Sequence, residues 1–134
     1  MEDNLYVAVD EKAAIVGIGG ERIYFCPGFP TFVEHIGRRR GKVVMVRRSD
    51  VGKRASELLG IESLSREELI KSLESLEGYQ IVYIGRKSED FPSKLNIYKI
   101  CVKCGKKTKG ECWGGEYTRD FYSAIDLIDR LIKS

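Results

Sequence analysis

Two nearly uninterrupted apolar runs, Val43-Val-Met-Val46 and Tyr79-Gln-Ile-Val-Tyr-Ile84, constrain what this chain can fold into more than any other feature. Runs of this length with little polar alternation suit strands covered on both faces rather than strands with a wet side. Between them lie two helix patterns. Ser49 or Asp50 stands at a cap, Val51, Ala55, Leu58 and Leu59 form one stripe, and Gly60 stops it. Ser65-Arg-Glu-Glu68 is a capping box, in which hydroxyl and carboxylate reach reciprocally for free amides. Leu64 and Leu69 hold the staple positions around it. Leu69, Ile70, Leu73 and Leu76 continue the apolar face up to Gly78. Strand, two helices and strand over residues 43–84 is long enough to cross over between parallel strands, in a right-handed sense.

Residues 5–9 and 13–18 are rich in β-branched and aromatic side chains, with Asp10-Glu11-Lys12 as a gap of hairpin length. After Gly19-Gly20 comes a third short strand at 22–26, so an antiparallel meander is expected. No helix pattern follows Gly17-Ile-Gly19-Gly20 directly, which makes these turn glycines rather than a phosphate loop. Pro27-Gly-Phe-Pro30 breaks the strand; Thr31 and Glu34 have capping-box spacing, and Gly37 is placed to end a short helix in a left-handed cap. His35, the sole histidine, is expected on that helix's surface or half buried rather than as a ligand or general base. Residues 95–102 form a further strand, Trp113-Gly-Gly115 an exit, and Thr118 a cap for a last helix with Phe121, Ile125, Ile128 and Ile132 on one face. At 134 residues this makes one domain. The expectation is an α/β (or α+β) chain with a mixed sheet of about six strands and helices packed on it, in the order β-β-β-α-β-α-α-β-β-α.

Composition, 43% hydrophobic and 32% charged, belongs to a globular protein. No apolar run approaches the ~20 residues needed to cross a bilayer, and the opening Met-Glu-Asp-Asn-Leu lacks the apolar core of a secretory signal. A cytoplasmic protein without membrane contact is expected. One glutamine and two asparagines beside abundant Lys, Arg and Glu match the thermophile tendency. Intracellular thermophile proteins also carry disulfides.

Cys101-Val-Lys-Cys104-Gly-Lys-Lys-Thr-Lys-Gly-Glu-Cys112 holds three of the four cysteines. Its Cys-x-x-Cys-Gly start resembles a rubredoxin-type zinc knuckle, in which two thiolates converge on a metal and the glycine relieves the tight backbone. The resemblance spans about five residues. A second Cys-x-x-Cys pair is missing, so a four-ligand structural zinc needs a ligand from elsewhere. Cys26 at a strand end is the best candidate, before His35 or Glu111, giving a metal set of Cys26, Cys101, Cys104 and Cys112. Rival readings are a disulfide such as Cys104–Cys112, inert thiols, redox chemistry and an iron–sulfur cluster. The Gly-Lys-Lys-Thr-Lys-Gly sequence is a poor helix, which counts against a thioredoxin-like pair.

Arg38, Arg39, Arg40, Lys42, Arg47, Arg48, Lys53 and Arg54 face one acid, Asp50, in the same segment. Arginine bonds phosphate bidentately and a local positive field attracts polyanions. Together with Lys103, Lys106, Lys107 and Lys109 of the cysteine loop, this segment suggests a small nucleic-acid-binding protein or subunit contacting the phosphate backbone. A solvated loop at the sheet's end explains the same residues without a ligand. Leu59-Gly60-Ile61 superficially resembles a helix–hairpin–helix turn, but the second glycine is absent and the second helix is acidic. Two other functions stay open. One is a protein–protein assembly module or homo-oligomer using the last helix or the Phe25–Phe32 segment; the other is an enzyme holding a nucleotide or phosphorylated substrate on the basic segment. No carboxylate pair, nucleophile–histidine pattern or P-loop marks catalytic residues.

Overall fold

A computed structural model describes residues 4–87, 89–106, 112–113 and 115–133. Among them the elements run β1 (Leu5–Asp10), α1 (Glu11–Ala14), β2 (Ile15–Gly19), β3 (Arg22–Phe25), α2 (Phe29–Arg38), β4 (Lys42–Val46), α3 (Asp50–Leu59), β5 (Glu62–Leu64), α4 (Arg66–Leu73), β6 (Gln80–Gly85), β7 (Ile97–Val102), β8 (Glu116–Thr118) and α5 (Phe121–Lys133). None of these helices is long and apolar enough to cross a membrane.

The two flanking strands of the expected crossover unit are parallel, but a short strand, β5, stands between its two helices and β1 lies between the strands themselves. Lys42–Val46 and Gln80–Gly85 flank β1 as parallel partners, with Val7 opposite both Val43 and Val82. All six strands of the main sheet are parallel, in the order β5-β4-β1-β6-β7-β8, and the antiparallel pairing is confined to a separate β2–β3 hairpin. Counting the sheet strands alone, the order is 3-2-1-4-5-6. That is the doubly wound arrangement, whose order reverses between its first and fourth strands, here β1 and β6.

Alternation along the buried strands feeds two cores. Val7, Val9, Met45, Val82, Ile84, Ile100 and Val102 meet Phe29, Phe32 and Ile36 of α2, Ala55 of α3 and Phe121, Ala124 and Ile128 of α5. Phe121 stands edge-on to Phe29 and Phe32, with ring centres 4.8 and 5.2 Å away. The last helix and the Phe25–Phe32 segment thus bury Phe121, Ala124, Ile128, Phe29 and Phe32 in this core, with Phe25, Ile125 and Ile132 packed at its margin. On the opposite face Tyr6, Ala8, Val44, Val46, Ile81 and Tyr83 meet Leu69 and Leu73 of α4, with Phe91, Leu95 and Trp113 alongside.

Several local details differ from the sequence reading. The Asp10-Glu11-Lys12 gap is a helical turn instead of a hairpin: Asp10 caps it by accepting from the Lys12 amide at 2.8 Å. β1 therefore enters the centre of the sheet and leaves the meander one strand short. Helix α2 starts two residues before Thr31, with Pro30 in its first turn, where a missing amide hydrogen costs nothing. Its end is turned by Arg40 (φ 61°) rather than Gly37. Thr118 lies in β8, and Asp120 caps α5 instead, accepting from the Ser123 amide at 2.8 Å. Strands β5 and β8, three residues each, are additional; neither is long enough to leave a periodicity. The Ser65–Glu68 capping box and the left-handed Gly60 are where the sequence places them.

Candidate functional site at the sheet's switch point

A parallel sheet brings the carboxyl ends of all its strands to one edge. In doubly wound sheets the crevice for ligands opens there, where the strand order reverses. Here a crevice of about 750 Å³ lies at that place, lined by Asp10, Lys12, Arg48, Arg86, Lys87, Glu89, Lys103 and Trp113. Each lining residue follows or ends a strand, except Glu89 in the loop after β6 and Trp113 ahead of β8. Five cationic side chains face two carboxylates.

The floor is a tightly bonded ion cluster. Asp10, 5% exposed, accepts at Oδ2 from Arg48 Nε (3.0 Å) and Nη2 (2.5 Å) and from the Tyr83 hydroxyl (3.3 Å). Glu89 accepts from Arg48 Nη2 at 2.9 Å and from Arg66 Nε at 2.6 Å. Burial alone would raise the Glu89 carboxyl, yet hydrogen bonds from Arg66 and Arg48 outweigh it and hold the group below the usual carboxylate range. Burial, then the Asp10 charge, push the Tyr83 phenol far up, so it stays a neutral donor. Glu11 beside Asp10 turns the other way. It accepts from the Arg48 amide (2.5 Å), the Ser49 amide (3.0 Å) and Ser49 Oγ (2.7 Å), and so takes up the free donors leading into α3.

This local chemistry decides what the crevice can hold. No glycine-rich loop follows β1, and Asp10 and Glu11 already take the nearby backbone amides. A phosphate would have to be met by side-chain cations, with Lys12, Arg86 and Lys87 exposed and Lys103 buried in the lining. Trp113 closes one wall, its ring centre 6.4 Å from that of Tyr83 and 5.7 Å from Lys99 Nζ.

The basic residues of the sequence reading do not stay together. Arg38, Arg39, Arg40 and Lys42 gather at the amino edge of the sheet. There Arg38 pairs with Glu34 (2.5 Å), Arg39 with Asp129 (3.2 Å) and Lys42 with Glu62 (2.9 Å). His35, half buried as expected, shares the same Asp129 oxygen at 2.9 Å. Arg47, Arg48 and Lys53 stand at the carboxyl edge, beyond a strand of five residues, about 16 Å at ~3.3 Å each. Arg47 bonds Ser63 O (3.0 Å) and Glu68 (3.2 Å), and Arg54 reaches Glu21 O (3.3 Å). Of both basic stretches, Arg48 and Lys103 alone among the described residues meet in the crevice. Lys106 is exposed nearby in sequence, whereas Lys107, Lys109 and Glu111 lie outside the described residues.

The four thiols come together in twos. Cys101 and Cys112 form a disulfide, in place of the Cys104–Cys112 bond considered from spacing. Cys26 and Cys104 are free, and their side chains are close enough to interact. The sheet explains the division. Ile100 and Val102 point into the α2–α5 core, so Cys101 between them points to the other face, while Cys104 packs on the first core with Cys26. No group of three or more His, Cys, Asp or Glu that could hold a metal occurs among the described residues.

Asp10, Lys12, Arg86, Lys87, Glu89 and Trp113 were not singled out from sequence. Their one available signal was position, because residues just past buried parallel strands share an edge. Compared with known proteins, the chain matches no family, no curated protein and no solved structure at a significant level.

Proposed function

We propose that this chain binds a phosphate-bearing ligand, a nucleotide or similar small anion, in the crevice between the ends of β1 and β6. The observation that carries the reading is the lining itself: Lys12, Arg48, Arg86, Lys87 and Lys103 against Asp10 and Glu89 at a strand-order reversal. Arg48 is committed to the two carboxylates, so the ligand's charge falls to the exposed Lys12, Arg86 and Lys87. The reading is one of binding; an enzyme acting on a phosphorylated substrate would use the same crevice.

The chain's single tryptophan, Trp113, reports on the site directly. Titration with ADP, AMP and inorganic pyrophosphate at low salt should change its emission saturably, and added salt should weaken binding. Arg86→Glu with Lys87→Glu should lower affinity about tenfold or more, the equivalent of ~1.4 kcal/mol. No response from any of these anions at low salt overturns the proposal.

A second reading, binding of the phosphate backbone of a nucleic acid, is favoured by one observation: Lys53, Arg86, Lys87 and Lys106 are all exposed past the carboxyl ends of strands or on the helix that follows. It predicts binding of a short single-stranded oligonucleotide, with log affinity falling linearly with log salt. A short oligonucleotide that binds no better than pyrophosphate rejects it.

A further inference from the structure

Away from the crevice, three segments converge on the free thiols. The Lys103 and Gly105 amides donate to Thr118 O (3.1 Å) and Arg119 O (2.9 Å), which keeps the chain beyond β7 zipped to the chain beyond β8 with Cys104 between them. The Phe121 amide donates to Pro27 O (2.9 Å), the Phe29 amide to Cys26 O (3.0 Å) and the Cys26 amide to Ala14 O (2.7 Å), which pins Cys26 to the same place. Cys26 is 0% exposed, and its thiol is close enough to that of Cys104 for each to feel the other. Cys104 is half buried and lines an open cleft of about 530 Å³ together with Pro27, Tyr117, Thr118, Arg119 and Ser123. Access is therefore ordered: a solute reaches Cys104 first, and Cys26 stands behind it.

We infer that Cys104 and Cys26 form a two-thiol reaction site, with Cys104 the thiol that meets a small external disulfide and Cys26 the buried thiol that resolves it. With oxidised glutathione, the Cys104 thiolate attacks one glutathione sulfur. A Cys104–glutathione bond forms, the glutathione disulfide breaks, and the first glutathione leaves as thiolate and takes up the proton that Cys104 released. Cys26 then loses its proton and attacks Cys104 Sγ. The Cys26–Cys104 bond forms, the mixed disulfide breaks, and the second glutathione leaves with that proton. Two protein thiols are oxidised and one glutathione disulfide is reduced to two thiols. Burial first, then the neighbouring Cys104 thiol and the Asp120 charge, push the Cys26 thiol far up, consistent with its acting second. The Cys101–Cys112 disulfide, on the other face of the sheet, takes no part.

The test incubates purified protein with oxidised glutathione, alkylates the remaining thiols and maps peptides by mass. The expected result is loss of both free thiols, no retained glutathione, a Cys26–Cys104 cross-linked peptide and an unchanged Cys101–Cys112 bond. Cys26→Ala should stop at one glutathione on Cys104, and Cys104→Ala should leave Cys26 unmodified. Wild-type protein that keeps both thiols, stops at a stable mixed disulfide or links other cysteines overturns the inference. So does zinc found on the two thiols that blocks the reaction until a chelator removes it. The wild-type result decides the matter even if a variant fails to fold.

Discussion

Asp10 and Glu11 are neighbours in sequence, yet they serve different elements. Asp10 anchors Arg48 and Tyr83 under the crevice, and Glu11 closes the start of α3. Gly52 in the first turn of α3 makes room for Glu11, since a Cβ there would overlap the carboxylate and press on the Arg47 backbone at 3.2 Å. Glu11 is 4% exposed and held by three hydrogen bonds, so it has nowhere to retreat. Gly52→Ala should therefore cost about 1–3 kcal/mol in denaturant unfolding, against a gain of up to ~1 kcal/mol in helix propensity. In a Glu11→Ala background the same change should cost far less, and additive effects would exclude the clash. Glu89 makes the second residue-scale prediction. Its folded carboxyl is held below the unfolded value of ~4.3, so its contribution is fully present above that pH and is lost as pH falls through the lower folded value. Melting temperature followed from pH 7 to 3 should show wild type above Glu89→Gln at neutral pH and the two converging in acid. A constant gap would mean that the carboxylate charge is not what stabilises the cluster.

Among the elements, those with strong local chemistry were legible and the short ones were not. Helix α4 carries its own start signal in Ser65 and Glu68, and its staple residues Leu64 and Leu69 enter the same core. β5 and β8 exist because a neighbouring strand offers an unpaired edge, a cause outside their own residues. The last strand also gains from a covalent tie, because Cys101 on β7 is joined to Cys112 just ahead of β8. Closing a loop of that length removes about 2–3 kcal/mol of unfolded-chain entropy. Since Cys26 and Cys104 are already thiols, a mild reductant should act on this bond alone and lower stability by that amount. Unchanged unfolding midpoints after verified reduction would show that the tie is energetically idle. The Phe29–Phe32–Phe121 contact between α2 and α5 is a packing element of the same rank. Phe121→Ala should cost about 3–5 kcal/mol, measured the same way.

For the whole molecule, the parallel sheet converts one basic stretch into two surfaces facing opposite ways. Arg38–Lys42 and the crevice are separated by about two Debye lengths at physiological salt, so charge on one edge hardly reaches the other. Arg38→Glu with Arg40→Glu should leave pyrophosphate or nucleotide affinity in the crevice unchanged, while Lys87→Glu lowers it. Equal losses from both changes would argue for a diffuse field in place of a local site. The charge cluster is also the point where sequence reading reached its limit. Eight cations in seventeen residues are visible in a string of letters, but their partners Glu34, Asp129, Glu62, Glu68, Asp10 and Glu89 are not.

By itself the sequence determined the buried runs at 43–46 and 81–84, the helices between them, the capping box and the α/β class, because hydrophobic period, caps and turn residues act over a few neighbours. Tertiary structure alone decided that β1 sits at the centre, that the sheet is parallel with its order reversing between β1 and β6, and that Cys101 and Cys104 face opposite sides. It also decided that Arg48 and Lys103, 55 residues apart, line one crevice. The physical reason is the same in each case: pairing and register depend on which strand edge a segment meets, and that partner lies far along the chain.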